Sequence, residues 1–233
     1  MIDNTEPIQE YFTNEEILPI LELSKKQFID GWKQEYKIVN DQVIKALKYI
    51  NESDDDYTKI IWRVQQEYPH DERFFDTDYL ARGLTNLKLF YSLEIIDGKN
   101  LHSLSKTLDA FWHAHQNFSF EYMNFCDKVF GPNQFLHHLP TDKRDIAIQE
   151  AMERRYDYTR TILKKMFSVD ETYWGGDIII CCSYDSDTPR GFVFWKPALI
   201  AMEPACNLYP DRGLNEELKK KTNFVIDGFS SLK

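Results

Sequence analysis

Histidine is the side chain best suited to proton transfer near neutrality and the commonest metal ligand. Four of this chain's six histidines fall in one short stretch, at His113, His115, His137 and His138. Around them stand Asp109, Trp112, Glu121, Tyr122, Phe125, Cys126 and Phe130. A catalytic zinc or a non-haem iron takes three protein ligands of this kind, either three imidazoles or two imidazoles and a carboxylate. The stretch from Asp109 to Pro140 is therefore where any chemistry centres. His113, His137 and His138 are the candidate metal ligands, and Asp109 or Glu121 can supply a carboxylate. Asp109 and Tyr122 are the candidate catalytic groups, with Glu121 as a further base.

Spacing separates the histidines by role. On an ideal helix His113 and His115 project about 200° apart, so both cannot hold one ion. Leu104, Leu108, Phe111, His115, Phe118, Tyr122, Phe125 and Val129 recur at helical spacing, which places His115 on an apolar stripe facing the core. His113 falls on another face, with Asp109 one turn earlier and Gln116 and Asn117 roughly one turn later. Asp109 can accept from one ring nitrogen and fix the tautomer, leaving the other nitrogen to bind metal or move a proton. The same pair can equally be a hydrogen bond that locks two helices together. His137 and His138 follow the turn residues Gly131-Pro132-Asn133 and precede Leu139-Pro140, which puts them on a loop or a short extended piece. Neighbours in extended chain point opposite ways, so one of the two can face His113 while the other faces solvent. Ordinary loop packing under Pro140 is the alternative. Cys126, one turn after Tyr122 on the stripe, reads as a buried and inert thiol.

Trp112-His113, Tyr122, Phe125-Cys126, Phe130-Gly131 and Leu136-His137-His138-Leu139-Pro140 together resemble the signature of the glycine-rich domain-containing protein-like family. The resemblance implies a helical body. It also fits Asp109, because relatives tend to carry an acidic residue just before the Trp-His pair. Some relatives have an aromatic where His115 stands, in keeping with a core position. The glycine-rich tract of the longer plant members has no counterpart among the nine scattered glycines of this sequence, so an RNA contact tied to that tract is not implied.

Holding such a segment in place is the task of the rest of the chain, and its periodicity is mostly helical. Ile17, Leu18, Leu21 and Phe28, and then Val43, Ile44, Leu47 and Ile50, predict two N-terminal helices. The acidic run Ser53-Asp54-Asp55-Asp56 reads as a loop and helix start, since it lacks the glycine and terminal glutamate of a calcium-binding EF-hand loop. Ile60, Ile61, Val64 and Tyr68 predict a third helix that Pro69 ends. From Tyr79 to Ile96 the run Leu80, Leu84, Leu87, Phe90, Tyr91 and Ile95 describes a long amphipathic helix with Gly98 as its C-cap, after which Ser103 or Ser105 opens the histidine-bearing segment as an N-cap. Ile146 to Phe167 is helical again. Beyond Gly175-Gly176, Ile178-Ile179-Ile180 and Phe192-Val193-Phe194-Trp195 flank a turn-rich stretch and predict a small β-hairpin, and Leu214 to Lys221 predict a last short helix. The expected fold is mainly α, a multi-helix bundle with a small C-terminal β-hairpin. Residues 1–170 form the helical domain, and 171–233 form an appendage packed on the same core.

Composition removes several function classes. A hydrophobic share of 42% and an aromatic share of 15% specify a folded chain. A formal charge of -10 opposes a nucleic-acid backbone, and the one compact basic run, Lys219-Lys220-Lys221, follows Glu216 and Glu217 as a solvated helix face. No stretch reaches membrane-spanning length, and the acidic start is the wrong order for a secretory signal. Cys126, Cys181, Cys182 and Cys206 lack a disulfide framework spacing, so a reducing cytoplasm is expected. No phosphate loop, dinucleotide fingerprint or nucleophile elbow is present. Two functions stay in view. One is a helical domain of the glycine-rich domain-containing protein-like type in which Trp112, His113, Tyr122 and the His137-His138 loop lock the core and a surface binds a protein partner. The other is a metal-dependent enzyme that uses zinc or iron on His113 and His137 or His138.

Overall fold

A computed structural model describes residues 10–33, 38, 40–98, 100, 102–132, 134–136, 146–175 and 194–195. Among them the chain is helical almost throughout: α1 (Asn14–Asp30), α2 (Asp41–Glu52), α3 (Asp54–Glu67), α4 (Thr77–Ile96), α5 (Lys106–Gln116), α6 (Ser119–Phe130), α7 (Ile146–Met166) and α8 (Glu171–Trp174), with a 3-10 turn at Glu72–Phe75.

Local chemistry fixes where the helices begin. Thr13 and Glu16 form a reciprocal capping box at the start of α1, and the side chains of Asn40, Asp76 and Ser105 accept from the first-turn amides of α2, α4 and α5. The acidic run at Asp54, Asp55 and Asp56 occupies the first turn of α3, where negative charge meets the positive end of the helix dipole. Gly98 is not the left-handed cap expected of it. Asp97 caps α4 by donating its amide to Leu93 O at 2.8 Å, and the glycine is there for room, since a Cβ at Gly98 would meet Glu94 O at 2.5 Å.

The bundle is built around α4. Every residue from Gly83 to Glu94 is buried, the mark of a helix surrounded on all sides, and α1, α2 and α5 pack against it. Its buried polar groups are largely satisfied from within. Thr85 Oγ1 donates to Ala81 O at 2.8 Å, Ser92 Oγ to Lys88 O at 2.7 Å, and Asn86 Nδ2 to Arg82 O at 2.7 Å. Asn86 Oδ1 also accepts from Trp174 Nε1 at 2.7 Å, so α8 is tied into the same core, where Tyr173 and Trp174 are fully buried. At Gly83 a Cβ would lie 2.2 Å from the Phe111 ring, and the absence of a side chain lets α5 approach α4 closely.

In the later chain, the apolar stripe from Leu104 to Val129 runs over two helices, broken at Asn117 and Phe118. The buried face nevertheless continues through the break, from Leu108, Phe111 and His115 to Tyr122, Phe125 and Val129. No hairpin is seen among the described residues. Phe194–Trp195 instead pairs antiparallel with Phe135–Leu136, Phe135 opposite Trp195, and the Ile178-Ile179-Ile180 run and its turn lie outside the described residues. So do the tail helix, the Lys219-Lys220-Lys221 run, Cys181, Cys182 and Cys206. The segments just after α1 and α7 are clasped where Trp32 bridges Phe167: Lys33 N donates to Met166 O and Ser168 N to Gly31 O, both at 2.9 Å. No described helix is long and apolar enough to cross a membrane.

Candidate functional site

The histidine segment starts on α5. Ser105 caps it by accepting from Leu108 N at 3.3 Å, which sets Asp109 in the first turn and His113 one turn further on. His113 Nε2 lies 3.3 Å from Asp109 Oδ1, with the imidazole side chain 37% exposed and the carboxylate 17%. The carboxylate therefore engages the Nε2 side of the ring, in a half-open position at the bundle surface.

His115 has the opposite surroundings. It is 1% exposed, and its Nδ1 is 2.9 Å from Tyr91 Oη. Its ring meets Tyr122 and Phe125 edge-on at centroid distances of 4.9 and 4.8 Å. Burial pushes this imidazole down to about 3, with Lys59 adding to the effect, so it stays neutral at working pH. A buried neutral ring that packs among aromatics is a core residue, as its place on the stripe implied.

Tyr122 is fully buried. Its hydroxyl accepts from Trp112 Nε1 at 3.0 Å and donates to Leu136 O at 2.8 Å, joining α5, α6 and the strand at Phe135–Leu136. Burial raises its ionisation well above the ordinary tyrosine range. With its proton given to a backbone carbonyl, Tyr122 is poorly placed to act as an acid on a substrate. Cys126 is buried behind it, and burial pushes the thiol up to about 12, far from the thiolate that nucleophilic attack needs. Glu121 pairs with Lys59 across α6 and α3 at 2.7 Å, and that hydrogen bond holds its carboxyl below the usual range. His137 and His138 lie outside the described residues. Among the described residues no group of three His, Cys, Asp or Glu is arranged around one metal position.

Two polar features escaped the sequence reading. The first is Lys88, in the middle of α4 and fully buried. Its Nζ lies 3.2 Å from Asn51 Oδ1, 3.4 Å from Asn51 O, and 4.8 Å from the centre of the Tyr57 ring. It thus serves one of the carbonyls left open at the C-terminal end of α2. Burial pulls this ammonium down to about 7.

The second feature is a cluster between the end of α4, the segment after it and α7. Asp97 Oδ1 accepts from Asn100 Nδ2 at 2.7 Å, and Asp97 Oδ2 accepts from Tyr158 Oη at 2.7 Å. His102 Nε2 is 3.5 Å from Asp97 Oδ2, and its Nδ1 is 3.4 Å from Thr159 Oγ1. Thr159 Oγ1 donates to Arg155 O at 2.9 Å and accepts from Ser103 N at 3.1 Å, so its proton is committed to the backbone and it is no nucleophile. Burial pushes His102 down to about 3 and raises Asp97 and Tyr158. The one signal available in sequence was the interruption of an otherwise apolar helix by Lys88 and Glu94 and the polar run that follows it. Both features depend on partners far away along the chain.

The chain matches no protein-family model, no curated protein and no solved structure.

Proposed function

We propose that the chain is a non-catalytic helical domain of the glycine-rich domain-containing protein-like type, working in the cytoplasm as a protein-interaction module. The observation that carries this reading is the row from Trp112 Nε1 through Tyr122 Oη to Leu136 O, which spends the most reactive-looking hydroxyl of the signature on holding three elements together. His115 and Cys126 share that interior, and Glu121 is spent on Lys59. The surface available to a partner includes the outer side of α6, where Phe120 is 71% exposed and Met123, one turn on, is 56% exposed. The acidic balance disfavours nucleic acid as that partner.

The test is Tyr122→Phe in metal-free protein. The change leaves Trp112 Nε1 and Leu136 O short of a partner, at a cost of about 1–3 kcal/mol, so the melting temperature drops by several degrees. An unchanged melting temperature sinks the lock. Partner contact is checked with a Phe120→Ser, Met123→Ser double variant, which loses partner capture while keeping the wild-type melting temperature.

A second reading rests on the Asp109–His113 pair, already aligned at 3.3 Å and half-open to solvent. In a metal-dependent enzyme His113 and His137 or His138 hold zinc or iron, and Asp109 orients the His113 ring. Elemental analysis decides it. Near one zinc or iron per chain, lost in His113→Ala, supports the enzyme, and no metal in either protein removes it.

A further inference from the structure

The chain approaches α1 through a short stretch, Glu10 to Thr13, that is neither helix nor strand, with Thr13 extended at φ -71° and ψ 164°. Side chains of α3 hold it. Phe12 N donates to Gln65 Oε1 at 3.2 Å, and Phe12 O accepts from Trp62 Nε1 at 3.0 Å. The two partners stand one turn apart on α3, so one helix face grips both main-chain groups of a single residue. The Phe12 ring meets Phe75 edge-on at 6.3 Å, in the seam between α3 and the 3-10 turn.

Gln65 is the built part of this seat. It is 0% exposed, and its Nε2 donates to Phe74 O at 3.1 Å, which fixes the amide and aims Oε1 at the Phe12 amide. A buried acceptor without a donor is costly, so the seat calls for an N–H whenever Phe12 leaves it. Both hydrogen bonds read main chain alone, and the side chain lodged in the seam is an aromatic ring. Tyr11 beside it is 46% exposed, and Glu10 is exposed as well. Upstream of the helix cap the stretch thus commits one residue to the body of the protein, and any extended chain with an aromatic at that place satisfies the same atoms.

We propose that the seam is a peptide-binding groove, filled in the free protein by the chain's own Phe12 and open to an extended, aromatic-bearing segment of a partner protein. Main-chain capture supplies affinity and the ring's seat supplies selectivity, the division by which grooves recognise extended peptides. Trp62 is the type of residue on which binding energy concentrates. Tethering gives Phe12 an effective concentration of about millimolar, so it is a resident competitor that a partner displaces by adding contacts of its own. This groove goes beyond the α6 surface proposed above and shares none of its residues.

The experiment is an NMR titration of the isotope-labelled full chain with a peptide copying residues 10–15, blocked at both ends. Phe12→Ala removes a partly buried ring at the edge of the core and keeps the fold. In that variant the peptide shifts the Trp62 indole N–H and the Gln65 side-chain amide, and it binds at least about tenfold more tightly than to wild type. In wild type, millimolar peptide takes the seat and speeds hydrogen exchange at the Phe12 amide. Adding Trp62→Phe to Phe12→Ala removes the donor to the peptide carbonyl and weakens binding several-fold. The Phe120→Ser, Met123→Ser variant binds peptide as wild type does, so the groove and the α6 surface stand or fall separately. A peptide with alanine in place of its phenylalanine that binds equally well overturns the proposal. So does a folded Phe12→Ala chain with no shift at Trp62 or Gln65, or a wild type whose Phe12 exchange ignores the peptide. A concentration-dependent wild-type dimer that the peptide dissolves overturns it too, assigning the groove to the same segment of a second copy.

Discussion

Among the described residues, His102 and His115 are imidazoles that the bundle keeps neutral, both pushed by burial to about 3 from an ordinary value of 6.5. Below pH 6.5 the unfolded chain takes up protons that the folded chain refuses, so folding stability falls as the pH drops from 6.5 towards 3. Asp56, raised to about 6 by burial, works the other way over the upper part of that range. A variant isolates the histidine contribution: His115→Gln keeps an acceptor for Tyr91 and removes the ionisation. Between pH 6.5 and pH 4.5 the wild-type melting temperature is expected to fall more steeply than that of His115→Gln, and parallel curves would show that His115 is not held neutral. Lys88 sets the alkaline side. Its folded value is about 7 and its ordinary value 10.5, so the cost of burying a charged ammonium is present in full below about pH 7 and is relieved as the pH rises towards 10.5. Stability should therefore climb from about pH 7 until the tyrosines begin to ionise near pH 10. Lys88→Met, measured by chemical denaturation over that range, should flatten the climb. A slope equal to wild type would mean that Lys88 stays charged inside the bundle. The Asp109–His113 pairing was legible in sequence because both residues sit on one helix, four apart. The roles of Tyr122, Lys88 and His102 were not, because Leu136, Asn51 and Thr159 are brought to them only by folding.

Helices came through clearly in the sequence wherever apolar period and cap agreed. Ser105 opens α5 as one of the two caps offered by the sequence, and Pro69 stands just beyond the end of α3; the caps at Thr13, Asn40 and Asp76 are seen only in the structure. The junction of α5 and α6 did not come through, since the buried face keeps helical spacing across Asn117 and Phe118 although the backbone leaves the helix there. Periodicity reports which side faces the core, not whether the hydrogen-bond ladder is continuous. Gly98 misled for a related reason. A glycine after a helix suggests a left-handed cap, yet here the backbone keeps to the ordinary side of φ and only the missing Cβ matters. Gly83 gives the sharpest test at this scale. A methyl group there runs into the Phe111 ring at 2.2 Å and forces α5 off α4. Although alanine is the better helix former by about 1 kcal/mol, Gly83→Ala should lower the melting temperature. A gain in stability would show that the two helices have slack between them.

The mainly helical architecture was legible from composition and period alone, because an aromatic-rich chain with few glycines and long 3.6-residue patterns has few other ways to bury itself. What periodicity did not reveal is that α4 is enclosed on every side, nor that α8 belongs to the same interior. Tyr173 and Trp174 hold to this core through Tyr79 O and Asn86 Oδ1, partners 94 and 88 residues earlier in the chain. A chain ending at residue 145, before α7, therefore lacks the covering of Trp32, Asn86, Asp97 and His102. It should bind a hydrophobic dye and unfold without a sharp transition. Cooperative melting of that fragment would mean that the first six helices stand alone.

The clasp between Trp32 and Phe167 also has a meaning in time. A ribosome releases the segment bearing Phe28 and Trp32 early, yet the backbone that answers it at Met166 and Ser168 emerges more than a hundred residues later. During synthesis, the first helix must wait with its aromatic end bare while more than a hundred further residues are added. The nascent chain is then a natural client for a chaperone that shields aromatic surface, and it gives up that protection only when the seventh helix swings in and closes the ring.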